Sequence, residues 1–157
     1  MACPKSGSSD TTGGLKCAPC GSKEALGLKV YSALELEKEL SCLPLWVSSE
    51  SGDAIVRSFV ATNFVTAMAF LNEVAKVAEE QGHHPDLHLT QYRNVEIRLQ
   101  THKMRGVTQN DIAEAGLFDL LPVNYSPKWL REHPEAATAA AASAPITSSP
   151  SPAALNA

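Results

Sequence analysis

Three of the chain's five histidines fall close together, with a proline between them and an acid beyond: His83-His84-Pro85, then His102, then Asp111. Imidazole changes charge near neutral pH, so a pair in opposite protonation states can remove one proton and deliver another. Three imidazoles and a water would equally make a hydrolytic zinc site. Adjacent residues rarely point at one ion, which weighs against the metal. Histidines on an exposed surface loop are the third reading. Spacing alone leaves all three open.

The surrounding periodicities explain how these residues meet. Asn63 can cap a long helix in which Phe64, Met68, Leu71, Ala75 and Ala78 recur at helical spacing, with Val65, Val74 and Val77 widening the stripe. Gly82 is a natural residue to stop it. His83 and His84 therefore sit at the joint into the next element, where Pro85 fixes its own φ and pushes His84 toward extended backbone. Asp86 to Gln91 reads as one strand. Val95, Ile97 and Leu99, alternating with Glu96, Arg98 and Gln100, read as a second with one wet and one buried face. A turn near Arg93-Asn94 would lay Pro85 and Asp86 beside Gln100 to His102. Simple topology thus gathers His83, His84 and His102. Thr108 opens a last helix with Asp111 in its first turn and Val107 and Ile112 as a hydrophobic staple. Ala115, Leu117, Leu120 and Leu121 are its expected inner face, and Pro122 ends it.

Ahead of this unit, Ser32 can cap a helix over Ala33 to Leu40, with Leu34, Leu36 and Leu40 as apolar positions. Leu45 to Ser49 and Ala54 to Ala61 flank a polar, Gly-containing turn and read as a hairpin. The order α-β-β-α-β-β-α implies an α+β fold, a four-stranded antiparallel sheet with helices packed on one face.

Composition bounds what such a domain can do. The 157 residues carry 13 Lys+Arg against 17 Asp+Glu, a net charge of −4 that leaves no electrostatic footprint for nucleic acid or anionic membrane. No apolar run approaches the ~18 residues of a membrane span. Residues 1–17 are expected to be a disordered arm, 18–133 the folded domain, and 134–157 a disordered Ala/Ser/Pro-rich tail. The first residues lack the apolar stretch of a secretory signal, so the expected compartment is the cytoplasm, with the nucleus as a second setting. There Cys3, Cys17, Cys20 and Cys42 would be free thiols. Cys17-Ala-Pro-Cys20 is a CxxC without the second pair of a zinc ribbon, and its role is open.

Each chemical residue also has a plainer role to fill. Asp111 with Thr108 approaches a capping box, favoured by the helix dipole. Glu79, in the last turn of the long helix, reads as solvated, and Tyr92 at a hairpin end as packing. His88 reads as an exposed strand residue, and His133 needs no special role.

The pattern Glu79, three residues, His83-His84-Pro85, six residues, Tyr92, nine residues, His102, eight residues, Asp111 resembles the signature of the pterin-4a-carbinolamine dehydratases. The detailed match runs from Glu79 to Asp111, and the element order fits from about Ser32 to Leu121. The resemblance implies removal of water from a 4a-hydroxytetrahydropterin to give the quinonoid dihydropterin, which recycles the tetrahydrobiopterin cofactor of aromatic amino-acid hydroxylases. It implies His83 and His102 as the acid/base pair, His84 holding the pterin or its hydroxyl, and Asp111 orienting His102. Glu79, Pro85, Tyr92 and Thr101 become substrate-binding residues, with no cofactor and no metal. Two imidazoles worth ~10²–10⁴ each would suffice for an elimination that proceeds slowly unaided. Family members are commonly dimers or tetramers, so a homo-oligomer is expected, with no direct nucleic-acid or membrane partner. Some double as dimerisation cofactors of transcription factors through a surface helix, which makes a protein-interaction module one alternative. A three-histidine metal hydrolase is the other.

Overall fold

Three helices open on side chains whose identities mark them as caps. In the computed structural model, which describes residues 27–137, Ser32, Asn63 and Thr108 each take part in a reciprocal capping box. The first helix, α1, spans Ala33–Leu40; the long helix α2 spans Phe64–Gln81; and α3 spans Gln109–Asp119. Between them run β1 (Val47–Ser48), β2 (Ile55–Val60), β3 (Asp86–Thr90) and β4 (Asn94–Leu99). The expected arm at 1–17 and nearly all of the expected tail lie outside the described residues.

The four strands form one antiparallel sheet in the order β1-β2-β4-β3. Ile97 pairs with Arg57 on one side and Leu87 on the other, and Val95 likewise with Phe59 and Leu89, so these rows share the helix-covered face. The alternate rows, Val56-Arg98-Asp86 and Ser58-Glu96-His88, lie on the open face, and His88 is exposed as expected. The core is built from Trp46, Ile55, Phe59, Phe70, Val74, Val95, Ile97, Leu99 and Phe118, all 3% exposed or less. Side chains of this size contribute about 1.5–3 kcal/mol each on burial.

Several expected faces need correction. In α2 the buried positions are Ala67, Phe70, Val74 and Ala78, whereas Phe64, Val65 and Met68 are 51%, 73% and 38% exposed. The helix is apolar around more than half its circumference, so its periodicity could not choose the face; two alanines let it lie close on the sheet. In α3 the inner face is Asn110, Asp111, Glu114, Ala115 and Phe118, and Leu120 is 63% exposed. That face is half polar, which hides it from any apolar pattern. In α1 only Leu36 is buried, and Leu34 is exposed.

Two elements were not anticipated. A single 3-10 turn, His102–Met104, follows β4. A short helix α4, Pro127–Glu132, carries Trp129 into a stack with Tyr125 on one side and His133 on the other, at centroid distances of 5.1 and 4.1 Å. His133 thus has a packing role, and Ala136 beyond it is fully buried. The free-thiol expectation fails at Cys42, which is disulfide-bonded; the other three cysteines lie outside the described residues. Among the described residues no helix is long and apolar enough to cross a membrane.

Candidate active site

The end of α2 places the first imidazole. Gly82 turns into the left-handed region (φ 65°), its N–H reaches Ala78 O and Glu79 O, and the next N–H, that of His83, also bonds Ala78 O at 3.3 Å. This double closure of the helix end is the Schellman arrangement, and it holds His83 rigidly against the domain. Pro85 then leads into β3. Because Asp86 pairs with Arg98, the chain just before β3 lies beside the chain just after β4, where Gln100 and His102 sit.

The loop after β4 is short and tight. Thr101 N bonds Gly106 O at 3.1 Å, and Arg105, at φ 50°, donates its N–H to His102 O. Gly106 permits the closure because a Cβ there would stand 2.5 Å from Cγ1 of Val30. His102 is thereby presented on the outside of the turn, exposed.

The result is an open cleft of about 320 Å³ lined by Gly82, His83, His84, Pro85, Asp86, Gln100, His102 and Lys103. The three imidazoles occupy different environments within it. His83 is 3% exposed and donates Nε2–H to Asp111 Oδ1 at 2.7 Å. His84 is 61% exposed at its side chain and pairs with Glu79 Oε1 at 3.0 Å. His102 stands at the rim.

Asp111 is the anchor of the arrangement. Its Oδ1 faces His83, while its Oδ2 accepts from Thr108 N (2.7 Å), Thr101 Oγ1 (2.8 Å) and Thr108 Oγ1 (3.2 Å). The capping role and the site role coexist, one on each oxygen. Two expectations change as a consequence. Asp111 orients His83 rather than His102, because the Schellman turn swings His83 inward and the 3-10 turn swings His102 outward. Thr101, 3% exposed and bonded to Asp111, holds the anchor from behind the cleft rather than meeting a substrate.

Tyr92 is not brought to the cleft. It sits in the β3–β4 turn at φ 57°, 60% exposed, at the opposite end of a five-residue strand from Pro85. At ~3.3 Å per residue that separation is roughly 17 Å. Glu79 and Pro85 do belong to the cleft or its rim.

One residue of the site escaped the sequence reading. Glu114 is fully buried, and its Oε2 lies 3.9 Å from His83 Nε2. Neither of its carboxyl oxygens has a hydrogen-bond partner among the described residues. Burial, reinforced by the neighbouring Asp111 carboxylate and opposed by His83, pushes its carboxyl up to about 8. A signal existed: Glu114 stands three residues after Asp111, on the same helical face. Among the described residues no three His, Cys, Asp or Glu side chains are grouped to hold a metal ion.

Fold and cleft together define an α+β domain that mounts histidines of unequal burial on one helix end and one strand end. Comparison with known proteins places that architecture. A family model described as Pterin 4 alpha carbinolamine dehydratase matches residues 29–121, which include every element from α1 to α3. Among curated proteins, the chain is 36% identical over 105 residues to a putative pterin-4-alpha-carbinolamine dehydratase of Halorhodospira halophila, covering 67% of this chain and 92% of that one. It is 34% identical over 110 residues to pterin-4-alpha-carbinolamine dehydratase 2, mitochondrial, of Arabidopsis thaliana, covering 69% of this chain and 57% of that longer relative. Among solved structures, a transcriptional coactivator/pterin dehydratase from Brucella melitensis superposes with a TM-score of 0.55 at 33% identity, covering 58% of this chain and 96% of that one. The chain belongs to the pterin-4a-carbinolamine dehydratase family.

Proposed function

We propose that this protein removes water from 4a-hydroxytetrahydropterins by histidine acid/base catalysis, returning the quinonoid dihydropterin to tetrahydrobiopterin recycling. The observation that carries the reading is the cleft itself, where a buried, Asp-anchored His83 faces a pocket shared with the exposed His84 and His102. The substrate bears a hydroxyl on C4a and a proton on N5. One imidazole takes the N5 proton, the other protonates the departing hydroxyl, and the C4a–O bond breaks as the C4a=N5 bond forms. His83 and His102 serve as this pair. Held by Asp111, His83 keeps one tautomer and one orientation, as a positioned acid or base requires. His84 with Glu79, and Pro85 in the cleft wall, hold the pterin at the open side.

The test follows absorbance as an aromatic hydroxylase releases the carbinolamine, in EDTA, with and without the protein. Acceleration is expected, and His102→Ala should reduce it by ~10²–10⁴-fold while the fold persists. No acceleration by well-folded protein would overturn the reading.

A second reading has support from one feature. The exposed Phe64, Val65 and Met68 on α2 form an apolar face that suits a homo-oligomer or another protein helix. We expect a homodimer or homotetramer, in the cytoplasm, and a monomeric sedimentation coefficient for the full chain would contradict the oligomer.

A further inference from the structure

Buried carboxyl groups are normally paired, because stripping water from one without replacing its hydrogen bonds is costly. Asp111 obeys this rule, with four contacts shared between its two oxygens. Glu114, one helical turn away, does not. It is 0% exposed, neither oxygen has a hydrogen-bond partner among the described residues, and its Oε2 lies 3.9 Å from Nε2 of the His83 ring. A leucine or methionine would fill such a place without cost. The charged groups acting on Glu114 are His83, from the joint between α2 and β3, and Asp111, from its own helix. The segment after β4 faces the cluster with the hydroxyl of Thr101, which is already bonded to Asp111.

We propose that Glu114 is a positioning residue of this site, a second carboxyl group held behind His83 that sets how tightly the imidazole keeps its proton. The distance is too long for a hydrogen bond, so the coupling acts through charge. With Glu114 protonated, the negative charge facing the His83 ring from this pair of carboxyls is that of Asp111. When Glu114 ionises, a second negative charge appears next to the ring in a buried region, and the imidazolium is favoured. The displacement of the carboxyl to about 8 accords with a group that keeps its proton at neutral pH. His83 and Glu114 then titrate as a pair, in two steps that belong to both groups. For the reaction, the arrangement would extend to higher pH the range over which His83 can hold a proton. That catalytic meaning rests on the dehydratase reading, whereas the coupling itself does not.

The experiment is an NMR titration of the full chain labelled with 15N-histidine, with His83 assigned by its loss in His83→Asn. In the wild type the His83 ring should titrate broadly, in two coupled steps. In Glu114→Gln it should titrate in a single step, at least tenfold weaker in proton affinity, with Glu114→Asp in between. The alkaline limb of the dehydration pH profile should move the same way. Identical His83 curves in wild type and Glu114→Gln, flat curves included, would overturn the proposal. If Glu114→Gln does not fold, Glu114→Asp and Glu114→Leu are read by the same criterion. Absence of dehydratase activity in the wild type would instead overturn the functional reading and leave the titration result standing.

Discussion

Two buried charge clusters flank α3, and they are built on opposite principles. Around Arg57, 2% exposed on β2, every partner is in place: Nη1 donates to Asp119 Oδ1 at 2.8 Å and to Phe118 O, Nη2 donates to Tyr125 Oη, and Trp46 Nε1 adds a bond to Asp119. One cation meets one anion, the guanidinium lies against the rings of Phe59 and Phe70, and the cluster ties β2 to the end of α3. Burial pushes the Asp119 carboxyl up while Arg57 pulls it back. Around His83, two carboxyls surround one imidazole and one of them has no hydrogen-bond partner among the described residues. The first cluster has nothing to exchange and lies away from the histidine cleft. The second carries a surplus titratable group behind a residue that lines it. A balanced buried pair is architecture; an unbalanced one next to a pocket is a candidate for proton chemistry.

The sharpest way to break the comparison is Arg57→Ala. Removing the cation leaves Asp119 buried and uncompensated, so a loss of about 3–5 kcal/mol is expected by chemical denaturation, with activity per folded molecule retained. Burial raises the Asp119 carboxyl and Arg57 opposes that rise, so in the variant it takes a proton more readily and the loss should shrink in acid. An equal loss at every pH would contradict this account.

The opposite sign is expected at the second cluster. Glu114 keeps its proton in the folded protein up to about 8, against an unfolded value of 4.5. The folded state therefore binds a proton that the unfolded state has released, and stability falls as pH rises through that window, by about 5 kcal/mol at most. Glu114→Leu removes this fall. Its Tm should exceed that of the wild type by up to roughly 10–20 °C at pH 8 and converge with it near pH 4. A variant less stable than the wild type at pH 8 would mean that Glu114 is an ordinary packing residue with partners of its own. The two substitutions together separate the clusters: truncating the balanced one destabilises, and truncating the unbalanced one stabilises at a cost to His83.

Much of this organisation is readable from local chemistry. Ser32, Asn63 and Thr108 mark their helices because a side-chain oxygen must satisfy the first free N–H groups, and Gly82 marks an end because it enters left-handed backbone without strain. The alternation from Val95 to Gln100 gives a strand with one wet face, and the antiparallel return of a hairpin brings His83, His84 and His102 together. These features depend on neighbours a few residues away, or on the length of two strands.

Other features depended on what packs against what. The apolar residues of α2 offer more than one face, and only the sheet beneath chose Ala67, Phe70, Val74 and Ala78 over Phe64, Val65 and Met68. Asp111 could have reached either histidine; the inward Schellman turn at Gly82 and the outward 3-10 turn at His102 gave it His83. Tyr92 follows the signature in sequence yet sits at the far end of its hairpin, because strand length carries it away from the cleft. Glu114 reads along the chain as one more helical glutamate. Its burial, without a hydrogen-bond partner among the described residues, arises where α3 packs against the joint of α2 and β3, and no local periodicity encodes that contact. Sequence alone determined which elements form and which imidazoles can meet, through capping, alternation and turn chemistry. Tertiary packing decided which imidazole is buried, which acid holds it and which acid is driven to keep its proton, since desolvation acts only where elements close over a side chain.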